Sequence, residues 1–301
     1  MQVFQFFLIF ILSPLIFAGE VALTFDDAPM SDGQVYTGLE RTAKIIKILD
    51  KHKVKSAIFV NSSRLKSKNG NQRMLSFVNA GHIIANHTHS HPRLSSTSLK
   101  EYIKDIKLAD EALSKYATFK KWFRYPYLNE GNTIKKRDQV RKFLTSNGYI
   151  NGYATADNLD YFINGIVQNA LRKGEKVDLK KACTLLIDIT LEGLNFYEKI
   201  AKKYIGQVRH VLLMHENDLE AFCLDRLITV IKEKGWKIVS PELAFSDPLL
   251  KDEPDTLYLG YGRIAAKVHL ISGKKFKAKW ENTSVLKEEF DRRNILTKQK
   301  L

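Results

Sequence analysis

Apolar and polar residues along this chain switch repeatedly between two periods. Val21, Leu23 and Phe25 alternate with polar neighbours, as a strand requires. Thr37-Gly38-Leu39-Glu40 then has the form of a capping box, and Leu39, Ala43, Ile46 and Leu49 follow on one helical stripe. The alternation continues down the chain. Strands are expected over Ser56–Val60, His82–Asn86, Lys121–Tyr125, Tyr149–Thr155, His210–Met214 and Trp236–Val239. Between them lie a helix through Met74 and Val78 that stops at Gly81, a helix opened by Ser98-Leu99-Lys100-Glu101, and a basic helix from about Thr133 to Gly148. The Ser98-capped helix carries Leu99, Tyr102, Ile106, Ala109 and Leu113 on one face. Helices over Leu159–Lys173 and Leu179–Tyr204 follow, then one through Leu224, Leu227, Ile228 and Ile231 that ends at Gly235, and a short helix led by Pro241. Strands that alternate with helices imply a parallel sheet covered by helices. The expected fold is α/β: a distorted, TIM-like (β/α) barrel of about seven parallel strands with a C-terminal extension. A doubly wound sheet is the alternative, but no Gly-rich phosphate loop follows the first strand.

The ends of the chain differ from this pattern. Val3 to Phe17 is almost wholly apolar and too short for a comfortable membrane span. Ile16 and Ala18 occupy the −3 and −1 positions of a cleavage site after Ala18, although the segment before the apolar run has no Lys or Arg. Residues 1–18 are therefore expected to be a signal peptide, with an uncleaved anchor as the alternative, 19–249 the catalytic domain, and 250–301 a basic C-terminal extension. Export to the periplasm or the extracellular space follows, with no stable membrane span after cleavage. The 301 residues are 44% hydrophobic and carry a net charge of +15. That composition excludes a wholly disordered chain and suits anionic surroundings. Cys183 and Cys223 are compatible with a disulfide or with two buried thiols.

Five short polar motifs stand at or just after expected strand ends, where barrels carry their chemistry. Adjacent Asp26 and Asp27 repel, so both remain charged only beside a cation or by sharing a proton. One carboxylate is free to bind metal while the other acts as a base. Three of the eight histidines lie in His87-Thr88-His89-Ser90-His91-Pro92. Neutral imidazoles with one carboxylate suit zinc or another divalent transition metal. His87 and His91 are the natural pair; His89 is able to ligate in place of a neighbour or line the cleft. Arg124, in Arg124-Tyr125-Pro126-Tyr127, has the charge and fork geometry to hold an Asp of the pair ionised. His215 ends an apolar run and can titrate near neutrality as an acid.

In their order and spacing these motifs resemble those of the polysaccharide deacetylase family, the NodB-type domain of carbohydrate esterase family 4. The resemblance covers about residues 19–245. It rests on Thr24-Phe25-Asp26-Asp27, His87-Thr88-His89-Ser90-His91-Pro92, Arg124-Tyr125-Pro126-Tyr127, Asp157-Asn158-Leu159-Asp160-Tyr161 and Leu213-Met214-His215. It implies that Asp27, His87 and His91 hold one divalent metal, with Zn2+ first and Co2+, Ni2+ or Mn2+ as the other candidates. It also implies that Asp26 is the general base, that Arg124 orients Asp26, that Asp160 orients Arg124, and that His215 is the general acid. Tyr127, Tyr161 and Leu213 would contact substrate, Tyr161 standing where the family usually has Trp.

The function expected from these residues is an exported, metal-dependent hydrolase that removes acetyl groups from N-acetylglucosamine in peptidoglycan or a chitin-like glycan. An O-acetyl esterase or small cyclic-amide hydrolase is the alternative of the same fold, and a basic, non-catalytic wall-polymer-binding module the alternative of another class. The expected partner is an acetylated amino-sugar polymer, not nucleic acid. In the extension, Lys274–Trp280 is expected to run as a strand, with Lys275, Lys277 and Lys279 on one face and Phe276 and Trp280 on the other.

Overall fold

The structure, a computed structural model, describes residues 17–257, 260 and 262–297. The expected signal peptide lies almost entirely outside the described residues. No helix among the described residues is long and apolar enough to cross a membrane.

Strands β1 (Gly19–Ala28), β2 (Ala57–Val60), β3 (Ile83–Asn86), β4 (Phe119–Phe123), β5 (Ile150–Asn151) and β6 (Ala156–Asp157) enter one parallel sheet. A two-residue strand, β7 (Lys176–Val177), stands apart from it. Then β8 (Arg209–His215) and β9 (Trp236–Ile238) rejoin the sheet. Its order is β5-β4-β3-β2-β1-β8-β6, with β9 on the early part of β1. Helices α1 (Gly38–Lys51), α2 (Gly70–Asn79), α3 (Leu99–Leu113), α4 (Ile134–Ser146), α5 (Asp160–Arg172), α6 (Leu179–Tyr204) and α7 (Asp218–Glu233) are threaded between the strands. Val21, Ala22, Leu23, Thr24 and Phe25 of β1 are all fully buried. Both faces of this strand are covered, as in a parallel sheet with helices outside and side chains filling the inside.

The expected single strand over Tyr149–Thr155 is instead two short strands at opposite edges of the sheet. Gly152 N–H donates to Phe123 O on the β4 side, and Thr155 N–H donates to Val211 O on the β8 side. One extended segment thus bonds first to one edge and then to the other, and the sheet curls round on itself. Gly152 allows this passage, because a Cβ there would lie 2.5 Å from the Phe59 ring.

Both capping boxes form, at Thr37 and at Ser98. The buried stripe of α1 differs from the expected one. Leu39 is exposed, while Arg41, Thr42, Ile45, Ile48 and Leu49 face inward. The cause is polar. Arg41 pairs with Asp218 at 2.8 Å, and the Thr42 hydroxyl donates to Glu216 at 2.7 Å, so a buried ionic network rotates the helix away from its most apolar face.

The C-terminal segment forms α8 (Pro241–Phe245), α9 (Arg263–Ser272), α10 (Thr283–Arg292) and β10 (Leu296–Thr297), which pairs antiparallel with β7. Lys274–Trp280 is not a strand. It bends away from α9 and ends in a 3-10 turn, Lys279–Glu281, that follows Ala278. Burial decides its path: Trp280 donates its indole N–H to Glu192, and Phe276 packs on Tyr204. Ile264, Val268, Leu286, Phe290 and Ile295 join the same hydrophobic core as the barrel strands. Cys183 on α6 and Cys223 on α7 are buried free thiols.

Candidate metal and catalytic site

Register builds the centre of the site. β1 pairs with β8 from Glu20↔Arg209 to Asp26↔His215, so the two side chains proposed for proton transfer sit on paired residues of adjacent strands. Asp27 follows in a left-handed conformation, φ 65°. Asp27, Thr88, His91, Tyr127, Leu128 and Leu159 are six of the nine non-glycine residues with positive φ among those described. All six belong to the polar motifs or directly adjoin them. Such conformations strain L-residues, most of all a β-branched Thr, and they cluster where a site imposes geometry.

Asp27, His87 and His91 each offer a ligand atom, and the three atoms lie within 4.8 Å of one another. His91 Nε2 is 3.2 Å and His87 Nε2 3.9 Å from Asp27 Oδ1. The other ring nitrogen of His87, Nδ1, lies 2.8 Å from Arg124 O. A carbonyl only accepts, so Nδ1 carries the proton and the lone pair on Nε2 points to the cluster. Asp27 Oδ1 is buried without a hydrogen-bond partner. An orphaned carboxylate oxygen facing two imidazoles fits a divalent cation. Burial pushes the Asp27 carboxyl up, but the charges of His87, His91, His215 and Arg64 outweigh it and hold it below the ordinary value. His89 stands outside this cluster; its Nδ1 lies 2.8 Å from the Ser62 hydroxyl.

Asp26 is buried and held by Arg124, whose Nη1 donates to Oδ1 at 2.6 Å. Arg124 is fully buried. Its remaining donors reach Thr24 Oγ1 at 2.9 Å, Gly152 O at 2.6 Å and Tyr153 O at 3.2 Å, and its guanidinium lies over the Phe59 ring. Asp160 does not contact Arg124, contrary to the expectation from the motif. It accepts from His215 N–H at 2.7 Å and from Asn217 Nδ2 at 2.8 Å, and its Oδ1 lies 2.7 Å from His215 Nδ1. The reason is topological: β6 lies beside β8, which delivers the start of α5 to the end of β8, while backbone carbonyls of the segment 152–153 already fill the guanidinium. Burial alone would lower the His215 pKa, but Asp160, with Asp27 and Asp26, raises it to about 10. Asp157, of the same motif, is pushed up to about 7 by burial.

Tyr127 and Tyr161 are half exposed at the rim. The Tyr127 ring is 4.6 Å from the His91 ring, and the Tyr161 ring 5.4 Å from that of His215. Leu213, two residues before His215, is buried.

Sequence reasoning missed the ionic layer beneath the site. Glu216, fully buried, accepts from Arg73 Nη2, from the Thr42 hydroxyl and from Met30 N–H, and so pins the loop after Asp27 to β8, α1 and α2. Its only local signal was a charged residue directly after the apolar run that ends at His215.

The family model for polysaccharide deacetylases matches residues 18–148. A peptidoglycan-N-acetylglucosamine deacetylase of Bacillus cereus is 39% identical over 110 residues, which are 36% of this chain and 36% of that protein. A chitin deacetylase of Colletotrichum lindemuthianum is 30% identical over 115 residues, 37% of this chain and 43% of that one. The matched part thus spans less than half the length of these curated relatives. Among solved structures, the carbohydrate esterase family 4 pseudoenzyme from Bacillus anthracis superposes with a TM-score of 0.51 at 19% identity, covering 75% of this chain and 65% of that one. That likeness concerns the fold. The segment that matches the polysaccharide deacetylase model, residues 18–148, carries β1 and the Asp27, His87, His91 and Arg124 positions.

Proposed function

We propose that this protein is an exported, metal-dependent N-deacetylase acting on N-acetylglucosamine residues of a cell-wall glycan, peptidoglycan or chitin-like. The observation that carries the reading is the Asp26↔His215 register beside the Asp27–His87–His91 cluster, which brings a candidate base, a candidate acid and a cation seat into one cleft. The names of the Bacillus cereus and Colletotrichum lindemuthianum relatives support an N-acetylglucosamine polymer as substrate. Export rests on the apolar segment Val3 to Phe17.

In this reading Asp27, His87 and His91 hold the metal, and two imidazoles with one carboxylate favour zinc. When bound, the cation supplies Lewis acidity that polarises the amide carbonyl and acidifies water. Asp26 takes the proton from the attacking water, while Arg124 keeps its carboxylate aimed. The Tyr127 backbone N–H donates to the developing oxyanion. His215 delivers its proton to the departing nitrogen, and Asp160 keeps that proton in place until it is needed. Leu213 contacts the acetyl methyl, and Tyr161 walls the groove on the His215 side.

The test is acetate release from N-acetylglucosamine oligomers, peptidoglycan and acetylxylan by protein loaded with zinc and by the same protein after chelation. Release from the amide substrates that chelation abolishes is expected. Metal-loaded protein that frees no acetate from any of them, as a pseudoenzyme would, refutes the reading.

A further inference from the structure

Arg93 and Arg64 beside this site, and Arg172 in an adjoining cleft, have no carboxylate salt-bridge partner among the described residues. Arg93 is exposed and stacks on the Tyr127 ring, 4.0 Å from its centroid, and Tyr127 in turn abuts His91. Arg64 is half-buried and donates through Nη1 to Asp27 O at 2.7 Å. Arg64 and Arg172 line a cleft of about 220 Å³ that also touches Asn217, the residue that holds Asp160. Of the acids of that cleft, Asp218 pairs with Arg41, while Asp32 accepts from Gly38 N–H and makes no salt bridge to Arg64 or Arg172. A cation seated at Asp27 would be repelled by Arg64, which touches the Asp27 carbonyl. Unpaired guanidiniums beside a cation seat fit an anion that arrives with the substrate, and a stacked, planar guanidinium presents its N–H edge ready for a carboxylate.

We propose that Arg64, Arg93 and Arg172 form an anion-binding rim that selects an amino-sugar polymer bearing carboxylates next to the sugar being deacetylated. The inference rests on the deacetylase reading and narrows it: a carboxylated glycan such as peptidoglycan is preferred over a neutral, chitin-like one.

The test uses the full chain loaded with zinc and two probes, a soluble peptidoglycan glycan fragment and the same fragment with its carboxylates amidated. Arg64 is left intact because it touches the Asp27 carbonyl. In wild-type protein the native fragment should bind tighter, and the difference should shrink as salt rises. The double variant Arg93→Gln, Arg172→Gln should lower the ratio of native to amidated affinity about tenfold, the scale of one charge-assisted contact. Arg93→Lys, Arg172→Lys should retain most of it. Acetate release from both probes gives the same ratio as kcat/KM. Equal wild-type affinity for both probes, or a ratio unchanged by the Gln variant, overturns the proposal. So does a Gln variant that only relieves inhibition by acetate, because the rim would then hold product. If neither probe releases acetate, the deacetylase reading fails, and the binding ratio still decides the rim.

Discussion

Replacing Asp160 with Asn tests the strongest electrostatic feature of the site. The substitution keeps the shape and removes the charge beside His215 Nδ1, 2.7 Å away. In the native protein His215 binds its proton with a pKa of about 10 against an ordinary 6.5. That difference corresponds to about 5 kcal/mol at roughly 1.4 kcal/mol per tenfold. The His215 side chain is 15% exposed, so solvent screening brings the expected value to the order of 2–4 kcal/mol. Without Asp160, burial opposes the imidazolium and only Asp26 and Asp27 support it. The His215 pKa should then fall by two or more. NMR titration of the ring in metal-free protein measures this directly. The effect on stability has a definite sign. A raised histidine pKa stabilises the fold fully below pH 6.5, and that contribution is lost as the pH climbs to about 10. The destabilisation caused by Asp160→Asn should therefore be greatest near pH 6 and should shrink toward pH 10. Amide turnover at pH 8 should drop on the order of a hundredfold, and cleavage of an activated phenyl ester much less, because a phenolate leaves without a proton. A variant in which His215 still titrates near 10 would refute the reasoning, since the proton would then be held by Asp26 and Asp27 alone.

Other perturbations probe the remaining parts. His91→Ala should abolish the binding of about one zinc per chain, measured by elemental analysis after dialysis, and full occupancy would remove His91 from the ligand set. Asp26→Asn should retain metal and fold but lose a hundredfold or more in turnover, and near-native kcat would exclude the base role. It also leaves Arg124 buried without its charge partner, so denaturant unfolding should show a loss of about 3 kcal/mol or more. Phe290→Ala should cost about 3–5 kcal/mol in the unfolding of the whole barrel, because that ring lies in the common core; a barrel that melts at the native temperature would mean that the extension is an independent unit.

Much of this protein was legible in its sequence because the responsible forces are local. The Thr37 and Ser98 capping boxes form where a hydroxyl and a Glu three residues on can satisfy each other's backbone N–H groups. The strand and helix periods announced the parallel sheet, and the histidine cluster offered His87, His89 and His91, of which His87 and His91 lie close to Asp27. Tertiary structure decided what depends on partners far along the chain. The β1–β8 register sets Asp26 against His215, and no window of ten residues contains that information. The place of β6 beside β8 gives Asp160 to His215 rather than to Arg124. A buried Glu216, whose partners come from Met30, Thr42 and Arg73, turns α1 away from its apolar stripe. Lys274–Trp280 follows the hollow into which Trp280 and Phe276 fit rather than its own alternation. Local hydrogen bonding and side-chain period choose the elements. Sheet curvature, register and the need to pair every buried charge choose which elements meet, and those terms exist only once the chain has closed on itself.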